Sequence, residues 1–112
     1  MPEHKKAIKD ADLVMAPDLI VCGVTNAVWK YHEFEKLEVE ACQKILEISL
    51  GLVDTLIQSI EICREAFLGA RTEHCSAYDM FYLTLARRED ALLITVDQPM
   101  RKLAKRLGIA VV

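Results

Sequence analysis

No stretch of the 112-residue chain approaches the run of roughly 18 apolar residues that marks a membrane span, and the opening MPEHKKAIKD has no apolar core of a secretory signal. A membrane-embedded or exported protein is therefore not expected. There is no CxxC pair either; Cys22, Cys42, Cys63 and Cys75 stand singly. Isolated cysteines lack the close clustering of a zinc site. Cys22, Cys42 and Cys63 fall on apolar faces, where they read as small buried hydrophobes in a reducing, cytoplasmic setting. Repeats, low-complexity tracts and linkers are missing too. What remains is one domain's worth of chain, 53% hydrophobic and 28% charged, which is a globular rather than a disordered balance.

The net charge of −3 is unevenly spread. Residues 86–112 carry six basic side chains, Arg87, Arg88, Arg101, Lys102, Lys105 and Arg106, against Glu89, Asp90 and Asp97. That is +3 for the last quarter and leaves −6 for the rest. An acidic body with a basic end can meet a polyanion there, although a plain solvated helix face is the simpler account of any single run.

Hydrophobic periodicity organises the chain as helices broken by short apolar runs. A helix is predicted over 3–11, then a buried strand LVMA (13–16). Pro17 suits the first turn of a helix reaching Tyr31, with Ile20, Val24, Ala27, Val28 and Tyr31 on one face. FEKLEVEACQKILEI continues as a second helix facing inward through Leu37, Ala41, Ile45 and Ile48. GLVDTLI reads as a break or short strand. SIEICREAFLGA is a further helix with Ile60, Cys63, Ala66, Phe67 and Ala70 inward, and RTEHC a connector. Ser76 starts a helix to about Arg88 that buries Met80, Leu83 and Phe81. ALLIT (91–95) is a strand covered on both faces. PMRKLAKRLG is a helix with Met100, Leu103, Ala104 and Leu107 inward, stopped by Gly108, and IAVV a last strand. Strand 91–96, helix 99–107 and strand 109–112 then form a βαβ unit with parallel strands.

Asp79 and Asp97 bracket one helix and one strand. A helix of about 12 residues rises about 18 Å, and a strand of five or six residues returns about 17–20 Å. An antiparallel arrangement brings both acids to one edge, at the carboxyl end of strand 91–96, where open parallel sheets place ligands. Two carboxylates there repel unless hydrated or bridged by a cation, and oxygen-only ligands suit Mg²⁺ or Mn²⁺. Capping explains the same residues: Ser76 and Asp79 form an S-x-x-D box, and Asp97 precedes a helix begun by Pro99. Thr95 shares the face of Asp97 by strand alternation and can orient a carboxylate or water.

Three stretches resemble the PIN-domain family, in particular VapC-like toxins of toxin–antitoxin pairs. APDLIVCGVTNAVWK (16–30) is similar to the family's second helix, including Asn26. SAYDMFYLTLA (76–86) is similar to the helix bearing its third acid, and LLITVDQPMRKLAKRLGIAVV (92–112) to the strand ending T-x-D with its closing helix and strand. The resemblance implies an α/β fold, a three-layer α/β/α sandwich around a short parallel sheet. It implies a ribonuclease in which Mg²⁺ or Mn²⁺ activates water against an RNA phosphodiester. Asp79 and Asp97 match two metal-site acids, Thr95 a supporting polar residue, and Arg101, Lys102 and Lys105 are candidate contacts to the RNA backbone.

Two departures accompany it. The family's first central strand, which ends in an aspartate, has no counterpart in these residues. Its helical glutamate is matched by Gly23, with Asp18 and Glu33 five residues before and ten after. With two of four acids, metal binding is expected to be weak and cleavage impaired. The alternative is a catalytically inactive PIN-fold module. Strand 91–96 would carry an unpaired edge, so a homodimer is expected, alongside an antitoxin protein or RNA as partner. Trp29, Phe34 and Tyr82 are placed in that interface or in the core.

Overall fold

Helix dominates the computed structural model, which describes residues 2–112: six α-helices among the described residues and one short parallel sheet. In chain order these are α1 (Pro2–Asp10), β1 (Met15–Pro17), α2 (Ile20–Glu35), α3 (Val39–Gly51), β2 (Thr55–Ile57), a single 3₁₀ turn (Ser59–Glu61), α4 (Cys63–Glu73), α5 (Ala77–Arg88) and α6 (Gln98–Arg106). The chain is thus mixed α/β. It divides into two compact units, one of Leu13–Ile57 and one of the residues up to Asp12 together with Gln58–Val112.

In the first unit β1 and β2 pair in parallel, Ala16 opposite Leu56. The Val14 carbonyl and the Asp18 N–H both bond to the β2 segment, so even-numbered residues carry this ladder. Pro17, which has no N–H to donate, therefore falls in the phase that points away from β2. It ends the strand rather than opening a helix, and α2 begins three residues later at Ile20. The helix also outruns its expected end at Tyr31. It stops only where Lys36 turns left-handed (φ 60°) and donates its N–H to the Tyr31 carbonyl. Consequently α3 starts at Val39, not at Phe34.

Helices α2 and α3 pack together around Val28 and Cys42. Their apolar stripes are wider than this contact, so Tyr31, Ile45 and Ile48, expected inside, lie exposed. Trp29 and Phe34 are likewise outside the core, 50% and 68% exposed, and stack edge-to-face at 5.8 Å. Cys22, expected to be buried, is exposed; among the cysteines Cys42 alone is fully buried.

The second unit holds the main core: Ala66 of α4; Met80, Leu83 and Ala86 of α5; Met100, Leu103 and Ala104 of α6; and, outside the helices, Leu93 and Ile109. Met80 and Leu83 of α5 and Met100, Leu103 and Ala104 of α6 are predicted inward positions, while Phe81 and Leu107, also expected inside, are partly buried against this core. Gly69 sets the approach of α4 to α5, since a Cβ there would lie 2.9 Å from the Met80 Cγ and Sδ. Helix α4 differs from expectation at both ends. Ile60 stands before it in the 3₁₀ turn, 75% exposed, and Phe67 within it is 61% exposed. RTEHC is no connector, because Arg71–Glu73 complete the helix, which ends on left-handed His74 (φ 54°).

The two C-terminal strands shrink to one parallel bridge, Leu93 with Val111. Its hydrogen bonds run from Leu93 N–H to the Ala110 carbonyl (2.8 Å) and from Val112 N–H to the Leu93 carbonyl (3.0 Å). The direction is the predicted one and the length is not: with a partner on one side only, pairing does not extend over 91–96.

Candidate acidic site at two helix N-termini

Helices α5 and α6 each open on a cap that their sequences specify. Ser76 accepts the Asp79 N–H on its Oγ at 3.3 Å. Asp97 accepts the Met100 N–H on Oδ2 at 2.9 Å, with Pro99 in the first turn, where its missing N–H costs nothing. Thr95 Oγ1 in turn accepts the Asp97 N–H at 3.1 Å and holds the turn into α6. The capping account of Asp97 is therefore realised, using one of its two carboxylate oxygens. At Asp79 only half of the capping box forms, since the bond uses its backbone N–H. Among the described residues its carboxylate accepts no hydrogen bond.

That carboxylate has a different neighbour. Burial pushes the Asp79 carboxyl above its ordinary value, and the negative charge of Asp97 pushes it further in the same direction. The two acids thus feel each other across a partly desolvated rim formed by the start of α5 and the start of α6. Cys75 belongs to the same neighbourhood. Its thiol is raised first by burial, then by Asp79 and Glu73, with Arg106 opposing. Glu73 and Arg106 form an ion pair at 2.6 Å that ties α4 to α6. Nothing in the spacing of the cysteines marks Cys75 for this place; the one local signal is its position directly before the Ser76 cap of the helix that carries Asp79.

The basic candidates separate. Arg101 is half-buried and donates from Nη1 to the Thr95 carbonyl at 3.1 Å, so it braces α6 rather than standing freely solvated. Lys102 and Lys105 are exposed on the same helix. Gly23 and Asn26 lie exposed on α2 in the other unit, and a Cβ built at Gly23 meets nothing within 4 Å.

Chemically, the rim offers the free Asp97 oxygen and both Asp79 oxygens. Carboxylate oxygens are the ligand type that hard divalent cations take. The rim does not make a closed site: no group of three or more His, Cys, Asp or Glu placed to ligate a metal occurs among the described residues. No helix among the described residues is long and apolar enough to cross a membrane. No protein-family model and no curated protein matches the chain.

Proposed function

We propose that the chain is a PIN-like protein related to the VapC ribonuclease toxins, with a half-complete acidic site that binds Mg²⁺ or Mn²⁺ weakly and cleaves RNA poorly. One observation carries the metal part of this reading: Asp97 acts electrostatically on Asp79, so two carboxylates 18 residues apart in sequence share one rim. Asp79 and Asp97 would hold such a cation, which would offset that repulsion and supply activated water for phosphodiester cleavage. The chain's own contribution is to hold Asp97 by the α6 cap and Thr95, and to keep Asp79 partly dry. Two acids would hold such an ion less firmly than four, which is why efficient cleavage is not expected. Lys102 and Lys105 are the side chains available to an RNA phosphate, and a reducing cytoplasm is the setting this reading implies.

The test is Mn²⁺ binding, followed by water-proton relaxation, and metal-dependent RNA cleavage, each for the wild type, Asp79→Asn and Asp97→Asn. Expected are weak Mn²⁺ binding, lost in either variant, and little cleavage. Equal Mn²⁺ binding by all three proteins overturns the metal site. Rapid cleavage abolished by either substitution overturns the impairment.

A second reading, a non-catalytic module that binds an antitoxin-like protein or a second copy, is favoured by the apolar surface of α2 and α3. Val28, Trp29, His32, Val39, Cys42 and Leu46 are among the residues lining a shallow groove of about 230 Å³ there.

A further inference from the structure

The bridge at Leu93 uses one side of the backbone only. Leu93 and Thr95 direct their N–H groups to the carbonyls of Ala110 and Val112. By the alternation of an extended chain, Leu92, Ile94 and Val96 direct theirs to the opposite side. Among the described residues, none of the N–H or C=O groups of Leu92, Ile94 and Val96 takes part in a hydrogen bond. Leu92 and Val96 are 50% and 65% exposed, and Ile94 is half-buried. This is an open strand edge with an apolar face.

We infer that the 92–96 edge pairs with the same edge of a second copy, antiparallel about a two-fold axis at Ile94. The inference does not depend on the metal reading. Three features favour a second copy over an unrelated strand. An edge placed against itself around Ile94 sets Ile94 opposite the partner's Ile94 and Leu92 opposite the partner's Val96. Every open donor then meets an open acceptor, as an isologous contact requires. The side-chain pairs so formed are apolar on both strands. Finally, Ala91–Val96 contains no charged residue, so nothing in the ladder opposes like charges and the edge lacks the lysine that commonly guards an open strand. The only charges brought together are acids at the two ends, where each Asp97 approaches the partner's Asp90. Salt therefore tightens the dimer rather than loosening it.

The experiment is sedimentation equilibrium over a wide concentration range, with amide hydrogen exchange read residue by residue at both extremes. A dimer fraction rising with concentration is expected. The Leu92, Ile94 and Val96 amides should slow in step with it, while those of Leu93 and Thr95, already bonded within the chain, stay protected throughout. Ile94→Pro removes an edge N–H and no bond of the fold, and it should leave the protein monomeric with unchanged helix content. A monomer at every concentration, a dimer whose three edge amides exchange as freely as the monomer's, or a dimer retained in Ile94→Pro overturns the inference. Should Ile94→Pro not fold, amide exchange on the wild type decides alone. Dimerisation that survives Asp79→Asn together with lost Mn²⁺ binding separates this result from failure of the metal reading.

Discussion

Asp79 carries two electrostatic loads in the folded chain that it does not carry unfolded: partial removal from water, and the charge of Asp97. Both favour its protonated form, so the folded state holds this proton to higher pH than the unfolded state does. Stability therefore falls as pH rises from the ordinary carboxylate value through the raised one, and stays lowered above it. Asp79→Asn should accordingly be more stable than the wild type at neutral pH, with the difference closing on acidification below the carboxylate range. Thermal unfolding against pH measures this. A wild type that matches the Asn variant at neutral pH would mean that solvent screens the Asp97 charge completely. The Cys75 thiol is raised first by burial and then by Asp79 and Glu73, which keeps that sulfur protonated, hence a poor nucleophile, at neutral pH.

Helix α6 makes the two roles of Asp97 separable. Its Oδ2 caps the helix, so Asp97→Ala should cost about 0.5–2 kcal/mol in denaturant unfolding, whereas Asp97→Ser, which keeps a cap acceptor, should cost little. Both changes delete the charge beside Asp79. Loss of Mn²⁺ binding in the stable Ser variant would thus report the carboxylate and not the cap. Elements with local signals such as these were the legible ones. Ser76, Asp97 with Pro99, and Gly108 (φ 75°) marked the ends of α5 and α6 correctly because capping and left-handed stops are decided within a few residues. The ends of α2 and α4 were hidden because Lys36 and His74, residues with no turn signature, take the left-handed position there. The strand at 91–96 was misjudged for the opposite reason. Its composition is right, but a ladder's length is set by a neighbour that composition does not reveal.

Across the whole molecule, burial is unequal. The contiguous core joins α4, α5, α6 and the Leu93–Val111 bridge, and Leu83, Ala66 and Ala104 are completely buried within it. In the Leu13–Ile57 unit the fully buried side chains are few, among them Ala16, Pro17, Val28 and Cys42. Local opening is governed by such differences. Amides of α5 should therefore be the slowest to exchange with solvent, and those of α2 and α3 markedly faster. Equal protection in the two sets would show that they open as one cooperative unit. The inward faces of α5 and α6 could be read from spacing because a core lies against them. The same spacing in α2, α3 and α4 misled at Tyr31, Ile45, Ile48 and Phe67, since periodicity marks an apolar stripe without saying what covers it.

The chain's single tryptophan, Trp29, half-exposed and stacked on Phe34, belongs to the less buried of the two units. Indole emission will therefore follow the melting of the α2–α3 pair. The half that holds Asp79 and Asp97 is optically served by Tyr78 and Tyr82 alone, so an unfolding curve recorded at tryptophan wavelengths describes only one side of this protein's stability.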